Sequence, residues 1–390
     1  MITQENTRYF KILFRKKYKN MVVNAVVCEL NPMHVGHKFI FDSAKATSEG
    51  NSVNVAVMSG NFTQRCTPAV FDKYTRAEAA VKCGADIVLE LPFPWCSSGV
   101  EDFALGGVTV AAGLGATRLV FGSEQGNVDI LNRVADIKDS ADYKSAVVRA
   151  EENSRESGSA VIFDSVMESF GITQKLGAND KLGSEYIRFG RKLGIEEFYP
   201  IKRISDAKSA TELREIMFEG GFKSLDNQIP QEAYSVFANA EMCSEERYRG
   251  ILFTYCRLNV AGADSDILAY AARVARDAGR AGEFFDSLPT KKYTAARLRR
   301  EILHYIIGGG NSAIAPRFTQ LLAMNERGRE YLSANKKFFR LPIITKPADT
   351  SGLDEVGQRQ YEVHRRADEL YALCLSKPAA EYLKKHPRIV

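Results

Sequence analysis

Residues 27–39, which read VCELNPMHVGHKF, decide the fold of this chain. The valine-rich run from Val22 to Val27 leads into this stretch, and short β-branched runs are typical of buried strands. Asn31-Pro32 predicts a turn. The apolar residues after it, from Phe39 to Ala44, fit one face of a helix. The stretch therefore predicts a strand, a tight loop and the start of a helix.

His34 and His37 are the distinctive side chains of this segment, because the whole chain has only 5 histidines. A helix N-terminus offers unpaired N–H groups and a positive dipole end, so it attracts anions. Gly36 leaves room for a ligand against the backbone. The segment predicts a site for a nucleotide triphosphate. The alternative interpretation is two structural histidines near a surface turn, and the position after a strand and before a helix favours the nucleotide site.

The HxGH pattern in this setting resembles the signature of the nucleotidylyltransferase superfamily. Further strands are predicted over 53–58, 86–91, 118–121 and 198–201, with helices between them. Alternating strands and helices indicate an α/β fold with a doubly wound parallel sheet. Ligands of such sheets bind beyond the carboxyl ends of the strands.

Composition indicates a globular protein, with 26% charged and 45% hydrophobic residues. There is no apolar run near the length of a membrane span, so we expect no membrane partner. The 7 cysteines are scattered without a CxxC pair. This pattern argues against a disulfide framework or a zinc site, and it favours a reducing, cytoplasmic location.

The net charge of +5 is concentrated in residues 1–20, where six basic residues face one acidic residue. The remaining chain is formally neutral, so only local basic clusters could indicate nucleic acid binding. We expect Met21 to be the natural start, and 1–20 to be a basic extension that is disordered or not native.

Two domains are predicted, with their boundary near Ile229-Pro230. Residues 21–228 form the nucleotide-binding part. Residues 229–390 are predicted to be mainly helical, with helices over 251–258, 267–275, 294–307, 318–324 and 358–375.

Five blocks make a more specific resemblance. They read ELNPMHVGH (29–37), VMSGNFTQR (57–65), PAVFDKYTRAEAA (68–80), GADIVLELP (84–92) and FGSE (121–124). In this order they resemble the bacterial tRNA(Met) cytidine acetate ligase family. Leu30 and Met33 depart from it, since aromatic residues are usual there, and Cys66 stands where glycine is expected. The resemblance implies that ATP activates acetate as acetyl-adenylate. It further implies acetylation of N4 of the wobble cytidine of elongator tRNA(Met).

The resemblance also implies a nucleotide site. Its predicted residues are Val27, Cys28, Glu29, Leu30, Asn31, Pro32, Met33, His34, Val35, Gly36, His37, Lys38, Phe39, Ile40, Gly122, Asn179, Arg203, Ile204, Ser209, Thr211 and Arg214. Arg203 and Arg214 are the candidates for phosphate contacts, since arginine suits bidentate anion recognition. Ser209 and Glu212 also fit the pattern of a helix capping box. Ser209 can both cap the helix and lie at the nucleotide site, because a capped helix start is also an anion site.

The candidate catalytic residues are His34, His37 and Lys73. Lys73, together with Gln64 and Arg65, is expected to act in the second step or on the acetate side. We expect backbone N–H groups at the helix start to share the phosphates with the histidines. ATP should carry Mg²⁺ on its triphosphate, while no dedicated metal cluster is visible in the sequence.

The helical part holds two basic clusters that could dock tRNA. The first consists of Lys291, Lys292, Arg297, Arg299 and Arg300. The second consists of Lys336, Lys337 and Arg340 around Phe338 and Phe339. Solvated helix faces are the alternative explanation for both. Two other functions stay open: an adenylyltransferase acting on a small metabolite, and a catalytically silent RNA-binding relative. The sequence does not fix the oligomeric state.

Overall fold

The structure is a computed structural model that describes residues 21–48, 51–153, 159–204, 207–225, 227–259, 265–290, 293–309 and 314–390. The predicted extension 1–20 and the predicted tRNA contacts Lys291 and Lys292 lie outside these ranges. The sequence motifs around the two histidines lie inside them.

Five parallel strands form the centre of the structure. They are β1 (Val22–Cys28), β2 (Ser52–Ser59), β3 (Ile87–Leu91), β4 (Arg118–Ser123) and β5 (Glu197–Lys202). Their order across the sheet is β5-β4-β1-β2-β3, and each neighbouring pair is parallel. β2 and β3 are buried along their whole length, which explains their continuous apolar sequence. The predicted doubly wound sheet is confirmed.

Helices connect these strands and cover the sheet. The connecting helices are α1 (Val35–Ala46), α2 (Lys73–Lys82), α3 (Val100–Leu114), α4 (Val128–Asp139), α5 (Asp142–Asn153), α6 (Ser159–Ser169) and α7 (Ala178–Leu193). Local sequence sets their ends. Asp72 accepts the first amides of α2, and Gly115, at φ 94°, ends α3 in the left-handed conformation.

The remaining chain is mainly helical, as predicted. Its helices are α8 (Ala210–Gly220), α9 (Gln231–Phe237), α10 (Glu245–Asn259), α11 (Asp266–Asp277), α12 (Ala281–Ser287), α13 (Ala295–Ile307), α14 (Glu326–Asn335), α15 (Glu355–Ala372) and α16 (Ala379–Tyr382). Most of their buried residues join one hydrophobic core with the sheet.

One predicted helix is wrong. Residues Thr319–Met324 form strand β6, which pairs antiparallel with β3. The short strands β7 (Ile343–Ile344) and β8 (Arg388–Ile389) pair with β6 in turn. The sequence TQLLAM is rich in good helix formers and too short for periodicity to decide. Partners on the sheet edge supply the backbone hydrogen bonds that make it a strand.

The second part therefore contributes a strand to the nucleotide-binding sheet, and the predicted boundary at residue 229 stays a prediction. No helix among the described residues is long and apolar enough to cross a membrane. All 7 cysteines are buried free thiols.

Candidate active site

A cavity of about 490 Å³ opens at the carboxyl ends of β1, β4 and β5. This is the edge where parallel α/β sheets bind ligands. Most residues predicted for the nucleotide site line it. They are Val27, Cys28, Glu29, Leu30, Asn31, His34, Gly36, His37, Phe39, Ile40, Gly122, Asn179, Arg203, Ile204, Ser209, Thr211 and Arg214.

His34 and His37 lie against each other in this cavity, with ring centroids 3.8 Å apart. His34 is the N-cap of α1, and its Nδ1 accepts the Gly36 N–H at 3.1 Å. The Nδ1 atom of His37 accepts the His34 N–H at 3.3 Å. Because both Nδ1 atoms are acceptors, each neutral ring carries its proton on Nε2.

Both rings are neutral at physiological pH. Burial, together with the nearby Arg203 guanidinium, lowers the pKa of His34 to about 4. The pKa of His37 lies well below its ordinary value because of burial, the neighbouring His34 and Arg203. Each Nε2–H is therefore a neutral hydrogen-bond donor available to an anion.

The backbone amides at the start of α1 differ from the expectation. The Val35 N–H donates to the Gln228 carbonyl at 2.9 Å, and the His37 N–H donates to the His34 carbonyl at 2.9 Å. The Gly36 N–H is taken by His34 Nδ1. The helix caps itself through its histidine, so side chains rather than free amides are left to bind phosphates.

Cationic side chains surround the same cavity. Arg203 is exposed at its wall. Arg214 is fixed by two hydrogen bonds, one to the Asn31 carbonyl at 2.8 Å and one to Thr211 Oγ1 at 3.1 Å. The predicted capping box of α8 is present, since Glu212 Oε2 accepts the Ser209 N–H at 2.7 Å. This arrangement suits a polyanionic ligand.

The N-terminus of α7 is already occupied by a carboxylate. Glu124 Oε1 accepts the Asn179 side-chain N–H at 2.8 Å, and Glu124 Oε2 accepts the Asp180 N–H at 3.0 Å. Asp180 in turn accepts the Glu124 N–H at 3.0 Å. In this reciprocal cap, the side-chain amide of Asn179 donates to Glu124, which fixes Asn179 at the cavity wall.

A second wall is the segment 63–67. The Gln64 N–H donates to Glu29 Oε1 at 2.6 Å. Cys66 lies at φ 58°, in the left-handed region, and the Tyr248 hydroxyl donates to its carbonyl at 2.7 Å. The family resemblance predicted glycine at position 66, and this backbone conformation gives the physical reason.

Known proteins resemble this chain over most of its length. Residues 21–386 match the HIGH Nucleotidyl Transferase family. The tRNA(Met) cytidine acetate ligase of Lactobacillus delbrueckii subsp. bulgaricus is 30% identical over 84% of this chain and 90% of its own. The Kosmotoga olearia enzyme of the same name is 29% identical over 90% of this chain and 93% of its own.

A solved structure agrees with these relatives. Thermotoga maritima TmcAL, crystallised with alpha-thio ATP, superposes with a TM-score of 0.84 at 26% identity. The superposition covers 95% of this chain and 99% of that chain. This chain belongs to the tRNA(Met) cytidine acetate ligase family. The resemblance predicted from the five sequence blocks is confirmed.

Four of the nucleotide-site residues that the family resemblance implied do not line the cavity: Pro32, Met33, Val35 and Lys38. Met33 is fully buried in the core, and Lys38 forms ion pairs with Asp42 at 3.2 Å and Glu232 at 3.8 Å. Side chains of a helix share a face only every three to four residues, so Val35 and Lys38 do not face the same way as Gly36 and His37. Nucleotide contacts for these four residues stay a prediction.

The predicted catalytic Lys73 also lies away from the cavity lining. Its Nζ is fully buried, 2.8 Å from Glu90 Oε2 and 2.6 Å from Asp368 Oδ2. His364 Nε2 lies 3.5 Å from the same Nζ. Glu90, His364 and Asp368 have the spacing of a metal site, but the lysine ammonium lies between them. A catalytic role for Lys73 stays a prediction.

Sequence reasoning missed several side chains that line the cavity. They are Val26, Phe41, Thr63, Thr67, Val100, Phe103, Phe121, Ala178, Lys181, Leu182, Tyr186, Ile201, Lys202, Ala207 and Ala210. Tyr186 is 3% exposed, and its hydroxyl finds no hydrogen-bond partner among the described residues. In the sequence, the signal that could have indicated such residues is a polar residue next to a predicted strand end, such as Lys202 at the end of β5.

Three of the predicted tRNA contacts, Arg297, Arg299 and Arg300, lie on α13. Arg297 is exposed, and its guanidinium lies over the Tyr293 ring, 5.1 Å from the centroid. Arg300 points inward, donating to the Ser97 carbonyl at 2.8 Å and the Gln64 carbonyl at 3.1 Å. Arg299 is partly buried. In the second cluster, the Arg340 N–H donates to the Gly113 carbonyl at 2.9 Å, which fixes that segment against α3.

Proposed function

We propose that this protein uses ATP to activate acetate and transfers the acetyl group to N4 of the wobble cytidine of elongator tRNA(Met). One observation carries the proposal. Two neutral histidines and two arginines surround a nucleotide-sized cavity, in a chain whose fold matches a relative crystallised with alpha-thio ATP. The names of the curated relatives supply the acetate and the tRNA.

In the first step, an acetate oxygen attacks the α-phosphorus of ATP and pyrophosphate leaves. Negative charge builds up on the phosphoryl oxygens, so catalysis depends on positioning and on pre-aimed donors. The Nε2–H groups of His34 and His37, with Arg203 and Arg214, are the donors that we assign to the phosphates. Losing one such donor raises the barrier by about 2.7–4 kcal/mol when it acts as in an oxyanion hole.

In the second step, the cytidine amine attacks the acetyl carbonyl and AMP leaves. The wobble base lies in a single-stranded loop, so no duplex has to open. Exposed Arg297 on α13 is a candidate for contact with the tRNA backbone. Buried free thiols fit a reducing, cytoplasmic location.

Magnesium is expected on the triphosphate, since Mg²⁺ is commonly held by substrate phosphates with few protein ligands. Among the described residues that line the cavity, Glu29 is the carboxylate, and it already accepts the Gln64 N–H. The described residues that line the cavity therefore do not form a protein cage for the ion.

The test is incubation with ATP, labelled acetate and total tRNA, followed by nucleoside analysis. We expect label in N4-acetylcytidine of elongator tRNA(Met) and acetate-dependent ATP–pyrophosphate exchange. Exchange with a phosphorylated metabolite but not with acetate would instead indicate an adenylyltransferase. tRNA binding without any exchange would indicate a catalytically silent relative.

A further inference from the structure

The glutamate at the start of α7 is a side chain to which the proposed function gives no role. Glu124 directly follows β4, and its Oε2 atom accepts the Asp180 N–H at 3.0 Å. Its Oε1 atom accepts the side-chain N–H of Asn179 at 2.8 Å and the backbone N–H of that residue at 3.3 Å. One carboxylate therefore holds both the first turn of α7 and a side chain of the cavity wall.

The position of this carboxylate is fixed by its surroundings. The Glu124 N–H donates to Oδ1 of the fully buried Asp180 at 3.0 Å. Gly177 leaves the space that the carboxylate fills, because a Cβ atom at that position would overlap Glu124 Cδ. Gly177 has φ −73°, which any residue can adopt, so the requirement for glycine comes from this close approach.

Glu124 decides which way the Asn179 amide faces. A carboxylate only accepts hydrogen bonds, so the NH₂ group of the amide must face it. The amide oxygen, Oδ1, then points away from Glu124. It accepts no hydrogen bond from the described residues, and the protein does not enclose it. Since Asn179 lines the cavity, this oxygen is an acceptor open to a ligand.

An open acceptor selects a hydrogen-bond donor on the ligand. The phosphates of ATP present acceptor oxygens, so they do not suit Asn179 Oδ1. The donors of ATP are the exocyclic amine of adenine and the ribose hydroxyl groups. The uncharged Asn179 therefore suits the nucleoside part of the ligand, while the histidines and arginines suit the phosphates.

We propose that Glu124 sets the nucleotide preference of this site, by holding Asn179 with its amide oxygen towards a donor on the base or the ribose of ATP. Glu124 is a positioning residue, since it acts through Asn179. The inference rests on the proposed function, whose first step uses ATP. It adds the contact by which the site distinguishes ATP from nucleotides that lack the matching donor.

Glu124→Gln tests the inference with a change of one atom. The backbone N–H of Asp180 needs an acceptor, so it keeps the oxygen of the new glutamine, whose NH₂ group then faces Asn179. Two NH₂ groups cannot bond to each other, so the Asn179 amide should turn over. A donor would then face the ligand where the unmodified protein has an acceptor.

Two further variants separate this effect from a loss of folding. Gly177→Ala displaces the carboxylate but changes neither Glu124 nor Asn179. In the double variant Glu124→Gln/Asn179→Asp, the new aspartate accepts from the new glutamine with one oxygen and offers the other to the ligand. Glu168→Gln, at an exposed position of α6, is the matched control.

Calorimetric titration with the Mg²⁺ complexes of ATP, inosine triphosphate, 2′-deoxy-ATP and 3′-deoxy-ATP measures the affinities without acetate or tRNA. Inosine triphosphate carries a carbonyl in place of the adenine amine, and each deoxy-nucleotide lacks one hydroxyl group. The unmodified protein and Glu168→Gln should bind at least one analogue about 3- to 10-fold more weakly than ATP. Glu124→Gln and Gly177→Ala should lose that preference, and the double variant should regain it.

Equal affinities of the unmodified protein for all four nucleotides would overturn the inference, because Asn179 Oδ1 would then face only water. An unchanged preference in Glu124→Gln would overturn it too, as would an equal loss of affinity for all four nucleotides, which indicates a structural role alone. Absence of acetate-dependent exchange is a different result. It would overturn the proposed function and leave these affinities unaffected.

Discussion

His34 and His37 act as donors because their Nδ1 atoms are already acceptors from the backbone. These two hydrogen bonds therefore fix the tautomers of both histidines. One bond lies within the turn of residues 34–36, and the other joins His34 to the first turn of α1. A histidine that could rotate freely would spend part of its time presenting a lone pair to an anion. The spacing of the motif follows from these two hydrogen bonds.

Gly36→Ala should damage the site without unfolding the protein. A Cβ atom at this position would lie 2.9 Å from His34 Cε1 and 3.1 Å from His34 Nδ1, so the ring must move. We expect ATP–pyrophosphate exchange to fall by about 10- to 100-fold, as donors leave their aimed positions.

Gly250→Ala is the matched control, because it lies within α10 and an added Cβ would meet nothing within 4 Å. It should be neutral for activity and stabilise the helix by about 0.5–1 kcal/mol in thermal unfolding. Full exchange activity in Gly36→Ala would show that the position of the His34 ring is not critical.

Acid should destabilise the protein through His34. Its pKa is about 4 in the folded state against an ordinary value of 6.5, so the unfolded state binds more protons between these values. The stabilisation is fully present above pH 6.5 and is lost as the pH falls towards 4. For each histidine the slope is at most about 1.4 kcal/mol per pH unit.

Urea unfolding across this pH range measures the effect. His34→Gln should flatten the slope, while His304, whose pKa burial also lowers to about 4, continues to contribute. His386→Gln, at an exposed position, is the control. An identical slope in His34→Gln and the unmodified protein would contradict the assignment.

At the scale of elements, helix α13 is attached to the wall of the active site. Arg300 holds the carbonyls of Ser97 and Gln64 together, and Tyr248 of α10 holds the Cys66 carbonyl. The helical part thus positions the segment 63–67, and a tRNA surface on α13 stays a prediction.

Arg300→Lys should weaken the first step even without tRNA. A lysine cannot donate to both carbonyls in the geometry of a guanidinium, so one charged hydrogen bond, worth about 1.5–3 kcal/mol, is lost. The ratio kcat/KM for acetate-dependent exchange should fall by about tenfold or more.

Arg297→Lys, on the exposed face of the same helix, provides the comparison. It should change tRNA-free exchange much less than Arg300→Lys, and because lysine keeps the positive charge, the salt dependence of tRNA binding should stay nearly unchanged. A loss confined to tRNA affinity in Arg300→Lys would instead support the original prediction that Arg300 contacts tRNA.

At the scale of the whole molecule, the buried cluster around Lys73 brings together residues that are far apart in the sequence. Glu90 belongs to β3, Lys73 begins α2, and Asp368 and His364 belong to α15. The Lys73 ammonium and His364 lower the pKa of Glu90 to about 2, despite its burial. The cluster favours one docking position of α15, because any other position would leave a buried charge without its partner.

Lys73→Met should destabilise the protein by about 3–5 kcal/mol in urea unfolding, since it leaves the buried Glu90 and the partly buried Asp368 without their cation. Lys82→Met removes a partly exposed lysine of the same helix that pairs with Glu78 at 3.2 Å. It should cost less than about 0.5 kcal/mol. Lost activity with unchanged stability in Lys73→Met would support the predicted catalytic role instead.

The sequence by itself determined the strands of the parallel sheet and the HxGH loop, and its family resemblance indicated many residues of the cavity wall. The strands and helix starts depend on contacts within a few residues, such as valine-rich runs, the capping histidine and the capping box of Ser209 and Glu212. Local hydrogen bonds and strand periodicity are visible in a single stretch of chain.

Only the tertiary structure decided the remaining features. It made 319–324 a strand, turned Arg300 towards Gln64, and enclosed Lys73 between residues from opposite ends of the chain. It also paired the first amides of α1, one of them with the carbonyl of Gln228. Each of these outcomes depends on a partner far away in sequence. Such a partner lies nearby only after the chain has folded, so local patterns carry no signal for it.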